Sequence, residues 1–187
     1  QFTKRPNQRI GAVGAVAGAF VRTSGHQAAE LILERGEHAC MAHAACLVHC
    51  CNWFGPGDFA AAGVGARFHR GFMEALAEIW TPLSAAVEEA LQRKERPLWI
   101  TGHSLGGAIA LLAAWRFHQK FISVHQICTF GAPMIGNAAA AEAYHREFPG
   151  RVIRYVDFGD LVPKLPTMSL LSNSYGHVQR EIILGQN

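Results

Sequence analysis

The chain has 187 residues, half of them hydrophobic and 17% charged, a globular and rather apolar composition that excludes a disordered chain. Its 17 Lys and Arg against 14 Asp and Glu leave a net charge of +3, spread without a basic cluster, so nothing points to a nucleic-acid partner. The length suits one domain with a substantial core, residues 1–187, and neither a linker nor an internal repeat divides it.

The only membrane-like stretch runs from Ile10 to Val21, behind Lys4, Arg5 and Arg9. It is too short and too rich in glycine to cross a bilayer, so no transmembrane segment is expected. Basic residues precede it as in a signal peptide, yet no small-x-small cleavage site follows. The expectation is a packed Gly/Ala-rich segment or a frayed terminus, with the compartment (secreted or cytoplasmic) left open. Five cysteines, four of them between Cys40 and Cys51, make an odd number and no disulfide framework.

Glu30 to Arg35 and His38 to Ala42, around Gly36-Glu37, predict a β-hairpin. Residues 43–66 carry Trp53, Phe54 and Phe59 among glycines and predict a loop with short helical pieces. The run His38, Cys40, His43, Cys46, His49, Cys50, Cys51 has ligand types that suit zinc, but its spacing matches no standard zinc pattern. Successive strand side chains face opposite ways, so these groups do not converge, and no metal is expected. From Phe68 to about Arg93, Phe72, Leu76, Ile79, Leu83, Val87 and Leu91 recur at helical steps, with Pro82 expected to kink the helix or start a second one.

Pro97 restarts the chain as the strand Leu98-Trp99-Ile100, which runs into Gly102-His103-Ser104-Leu105-Gly106 and then an apolar helix to about Lys120. Strand, Gly-x-Ser-x-Gly turn and helix together form the pattern of a nucleophile elbow, which lifts a serine hydroxyl clear of the sheet edge. Gly102 and Gly106 flank the serine where a Cβ would collide, and Gly107 and Ala108 allow close packing of helix on sheet. The N–H of Leu105, at the helix start, is a candidate donor to an oxyanion. Further strands are expected at 123–130, 151–156 and 178–184, with a helix from Ala138 to Phe148 capped by Asn137. Alternating strands and helices predict an α/β fold: a mostly parallel sheet with helices on both faces and the N-terminal hairpin as an antiparallel edge.

Serine chemistry needs a base, and the base needs an orienting acid. In α/β-hydrolases these follow in the order Ser, acid, His. The downstream acids are Glu142, Glu147, Asp157, Asp160 and Glu181; the histidines are His118, His125, His145 and His177. Asp157 and Asp160 both lie just past a strand, where ligands of open α/β sheets gather. His177 sits in a polar loop, 172–176, late enough to follow either aspartate.

Phe68-His69-Arg70-Gly71-Phe72, Thr101 to Ala108, Thr129 to Asn137, Asp160 to Pro166 and Tyr175 to Val178 come in an order that resembles the class 3 lipases, the fungal-lipase-like branch of the α/β-hydrolases. The resemblance covers roughly residues 68–184 and implies Ser104 as nucleophile, Asp160 rather than Asp157 as acid, and His177 as base. It also implies a carboxylic-ester substrate such as an acylglycerol, transient contact with a lipid interface, an acyl-enzyme, and neither metal nor cofactor. One motif departs. Where the family carries Phe-Arg-Gly-Thr or Phe-Arg-Gly-Ser, whose last residue supplies a second oxyanion donor, this chain has His43-Ala44-Ala45-Cys46. Leu105 is then the assigned oxyanion donor, with the Cys46 backbone as a guess for the second. Losing one such donor costs on the order of 3–4 kcal/mol of transition-state stabilisation. A non-catalytic or weakly active lipid-binding relative is therefore the alternative, and a metal or redox module on residues 38–51 a third class. An acyltransferase would share the same acyl-enzyme.

Overall fold

The computed structural model describes residues 19–23, 52–53, 62–63, 65–93, 97–164 and 175–185. The expected hairpin at 30–42, the His/Cys-rich run and Cys46 lie outside the described residues.

In chain order the elements are β1 (Ala19–Thr23), β2 (Asn52–Trp53), β3 (Phe68–His69), α1 (Arg70–Arg93), β4 (Leu98–His103), α2 (Leu105–Gln119) and β5 (Val124–Phe130). There follow β6 (Gly136–Asn137), α3 (Ala138–Glu147), β7 (Val152–Asp157), a single 3-10 turn (Val162–Lys164), β8 (Tyr175–Gly176) and β9 (Arg180–Leu184). The main sheet has the order β1-β4-β5-β7-β9. Its β4, β5, β7 and β9 run parallel, and β1 closes the edge antiparallel to β4, with Ala19 opposite Gly102 and Thr23 opposite Leu98. A smaller sheet, β2-β3-β6-β8, is antiparallel throughout.

The core lies between one face of the main sheet and α2. Residues 106–115 of α2 are all buried, as expected for a helix apolar on every side. In β4, Leu98, Ile100 and Gly102 point inward while Trp99 and His103 are exposed. α1 packs on the outer side of α2, and Arg116 lies 4.0 Å over the Trp80 ring between them. Trp115 is fully buried, its ring 5.1 Å from Tyr144 and 6.1 Å from Phe148. The buried Tyr144 hydroxyl donates to the Leu111 carbonyl at 2.8 Å, which ties α3 to α2 and avoids an unpaired polar group.

Three local expectations change. Phe68 and His69 belong to β3, not to the helix: the His69 N–H donates to Ile135 O at 2.8 Å, and its Nδ1 accepts from Phe72 N as the cap of α1. Pro82 starts no second helix. α1 is one element of 24 residues, held by buried Leu76, Leu83 and Val87 on both sides of the proline. Asn52–Trp53 and Tyr175–Gly176, read as loop, are two-residue strands of the smaller sheet.

Candidate active site

Between the last residue of β4 and the first of α2, Ser104 stands alone with φ 51° and ψ −125°. A non-glycine residue there is strained by its Cβ and persists only where its surroundings over-determine it. They do. A Cβ on Gly102 would fall 2.2 Å from the Gly106 carbonyl oxygen, and one on Gly107 would fall 2.6 Å from the Ala132 Cβ. Strand and helix therefore close more tightly than any side chain permits. The Ser104 N–H donates to Phe130 O at 2.8 Å, and its carbonyl accepts from Gly107 N at 2.9 Å. Leu105 opens α2, so its N–H belongs to the first turn, whose donors have no acceptor within the helix.

Phe130 ends β5, next to the elbow, and Gly131 follows with φ 59°. A Cβ on Gly131 would lie 2.6 Å from Asp160 Oδ2, so the glycine, at positive φ, lets the carboxylate lie against this sheet edge. Asp160 is held by its own turn: its N–H donates to Asp157 O at 3.1 Å, and Oδ1 accepts from Val162 N at 2.9 Å, capping the 3-10 turn. Ser104 and Asp160 thus share the C-terminal ends of β4 and β5. Asp157 instead finishes β7 and pairs in register with Leu184 of β9.

His177 follows β8, whose Gly176 pairs with Gly136 and Tyr175 with Asn137. Burial pushes the imidazole down to about 4, and the Arg154 charge acts in the same direction; a hydrogen bond to the Pro163 backbone and the Glu181 charge oppose them. Among the described residues, the side-chain hydrogen bonds of His177 and Asp160 go to Pro163 and Val162, not to each other or to Ser104. The imidazole is joined to the Asp160 segment through the carbonyl three residues beyond that aspartate.

The other candidates are occupied elsewhere. His118 lies 3.3 Å from Glu147, His125 packs on Trp99 at 4.8 Å, and His145 Nε2 accepts from Gln179 N. Glu181 accepts from Arg154 Nη2 at 2.6 Å; the Arg154 side chain is 4% exposed and that of Glu181 38%. Sequence reasoning passed over Arg154. Its signal was a cation in an apolar strand, Val152 to Val156, with a carboxylate at the matching place in the next one. Thr129, on β5, carries a buried hydroxyl without a hydrogen-bond partner among the described residues. No group of His, Cys, Asp and Glu able to hold a metal occurs among them either.

With the elbow between a parallel strand and a buried helix, the frame is that of an α/β-hydrolase. Residues 31–170 match the family described as lipase (class 3), and the chain belongs to that family. A secreted mono- and diacylglycerol lipase of Gibberella zeae is 31% identical over 118 residues, 61% of this chain and 37% of that protein. Protein EDS1 of Arabidopsis thaliana, whose name states no enzymatic activity, is 34% identical over 124 residues, 62% of this chain and 19% of that one. Among solved structures, a triacylglycerol lipase described as having a serine protease triad at its catalytic centre is 26% identical with a TM-score of 0.63. That match covers 77% of this chain and 54% of the other. The chain thus spans well under half the length of these two sequence relatives.

Proposed function

We propose that the chain is a serine hydrolase of carboxylic esters, acylglycerols above all, acting within a single α/β-hydrolase domain through Ser104, His177 and Asp160. The observation that carries the reading is the backbone of Ser104: a strained serine between β4 and α2, enforced by glycines that admit no Cβ. Membership of the lipase family supports the reaction class, and the mono- and diacylglycerol lipase among its relatives supports the substrate.

In this reading Ser104 Oγ attacks the ester carbonyl while His177 takes its proton. The Leu105 N–H donates to the oxyanion of the tetrahedral intermediate. Collapse breaks the ester C–O bond, and His177 returns the proton to the leaving alcohol. Water, deprotonated by the same imidazole, then releases the acid from Ser104. Asp160, whose Oδ1 accepts from Val162 N in this structure, would turn to the imidazole in the reacting complex and balance its charge when protonated. A base lowered to about 4 is neutral, and able to accept, at every pH well above that value. Its weak basicity gives the acid partner a specific task, the stabilisation of the imidazolium.

A second reading, a lipid-binding relative with weak or no turnover, draws on the separate hydrogen bonds of Asp160 and His177 and on the departure at His43 to Cys46. Labelling with a fluorophosphonate separates the two. Peptide mapping that finds the adduct on Ser104, lost in His177→Ala, supports the hydrolase. Folded protein that takes up no label leaves the binding relative.

A further inference from the structure

Gln179 has φ 43°, one of three non-glycine residues with a positive φ among the described residues. Glycine would adopt that conformation without strain, so the glutamine side chain has a task that outweighs it. Its amide nitrogen donates to Tyr144 O at 2.7 Å and to Phe148 O, and Oε1 accepts from Val152 N at 3.1 Å. The backbone N–H of Gln179 meets His145 Nε2 at 3.3 Å. Both donors and the acceptor of the amide are therefore used. They join the carbonyls that end α3 to the first residue of β7, immediately before β9 begins.

Only Val178, buried at 2% exposure, separates this clamp from His177. On the other side of His177 stands Gly176, paired with Gly136; a Cβ there would fall 3.1 Å from the Ala138 Cα, so β8 lies close against the start of α3. His177 is thus strung between two fixed points, one made by backbone pairing and one by a single side chain. Three residues after His177, the chain is already in register with β7, Arg180 opposite Ile153. The segment has no slack in which to seat the imidazole by itself.

We propose that Gln179 is a positioning residue for His177, its side-chain clamp on α3 and β7 fixing where the imidazole stands relative to the Ser104 elbow. The proposal rests on the reading of His177 as the general base. A displaced base loses rate even when substrate binds unchanged, because proton transfer needs the acceptor within hydrogen-bond reach.

The test compares wild type, Gln179→Gly, Gln179→Glu and His177→Ala on p-nitrophenyl butyrate, below all unfolding midpoints. Active sites of the wild type and the Gln179 variants are counted with a fluorophosphonate. Gln179→Gly removes the clamp and relieves the φ, so any loss comes from the clamp and not from strain. Gln179→Glu keeps the length but offers the Tyr144 and Phe148 carbonyls no amide donor, and serves where the glycine variant fails to fold. The expected result is a kcat per titrated site roughly tenfold or more below wild type, with KM within about twofold. A lowered unfolding midpoint with unchanged kcat per site overturns the proposal and leaves Gln179 a clamp on α3 alone. If His177→Ala is inactive while both Gln179 variants keep wild-type kcat, only the positioning role fails. If His177→Ala keeps wild-type turnover, the general-base reading fails and the positioning role with it.

Discussion

The elbow at Ser104 and the segment carrying His177 are built by different physics. Within 102–107 the main constraint is local, Gly102 closing on Gly106 with one strained serine between them, and the end of β5 adds only Phe130 O and Ala132. His177 owes its place to residues far away in sequence: Gly136 and Asn137 opposite β8, Tyr144 and Phe148 at the end of α3, Arg154 on β7 and Pro163 after the acid loop. The nucleophile's geometry is therefore a property of a short peptide in a sheet, and the base's geometry a property of the whole fold. Single changes should break the first outright and detune the second.

The largest effect is expected at Gly102→Ala. Its Cβ would meet backbone, the Gly106 carbonyl, at 2.2 Å, and backbone cannot swing aside as a flexible side chain can. A loss of about 3 kcal/mol or more in urea unfolding, with turnover gone, is expected; wild-type activity would mean that the elbow is not closed as described. Next comes the acid. Asp160→Asn should lower kcat by about 10⁴-fold, as the loss of an orienting aspartate does in serine hydrolases, and Asp157→Asn by far less. The reverse order would move the acid to Asp157. Two mild phenotypes would leave the Pro163 carbonyl to orient the ring.

On the base side, the acid limb of kcat/KM should fall near pH 4, well below an ordinary histidine, because burial and Arg154 hold the imidazole neutral. The sign for stability follows: unfolding lets His177 take a proton at about 6.5, so stability drops as pH falls from there toward 4. Arg154→Met removes the cation and should raise the acid limb. It should also cost about 1–3 kcal/mol, less than a fully buried pair, since Glu181 remains half open to water. An acid limb that stays put would show that Arg154 does not act on His177. The smallest effect is expected at Thr129→Val, which removes a buried hydroxyl without a partner among the described residues and should change the unfolding free energy by less than about 1 kcal/mol.

Much of this contrast could be read from the chain itself. β4, the elbow, α2 and the parallel strands after it announce themselves through period, glycine spacing and length, because each is stabilised by its own residues and one shared core. The smaller sheet did not. Strands of two residues, such as Gly136–Asn137 and Tyr175–Gly176, carry no period, and the Asn137 side chain ties β6 to the chain before β3 and to α3. That side chain accepts from Arg67 N and Ala140 N and donates to Gly65 O, at 3.0, 3.1 and 2.8 Å. Phe68 fits the helical steps of α1 yet lies in β3, since His69 caps the helix with its ring rather than joining it. His177 was found by elimination among loop histidines; its surroundings, Arg154 and Gln179 included, exist only once β7, β9 and α3 are assembled.

The most direct test of the central claim is hydrolysis of short- and long-chain p-nitrophenyl esters by the wild-type chain and by Ser104→Ala, each verified as folded. A serine hydrolase gives turnover by the wild type that disappears with the serine hydroxyl while the fold stays intact. Equal turnover by both proteins, or none from well-folded wild type, would contradict that claim.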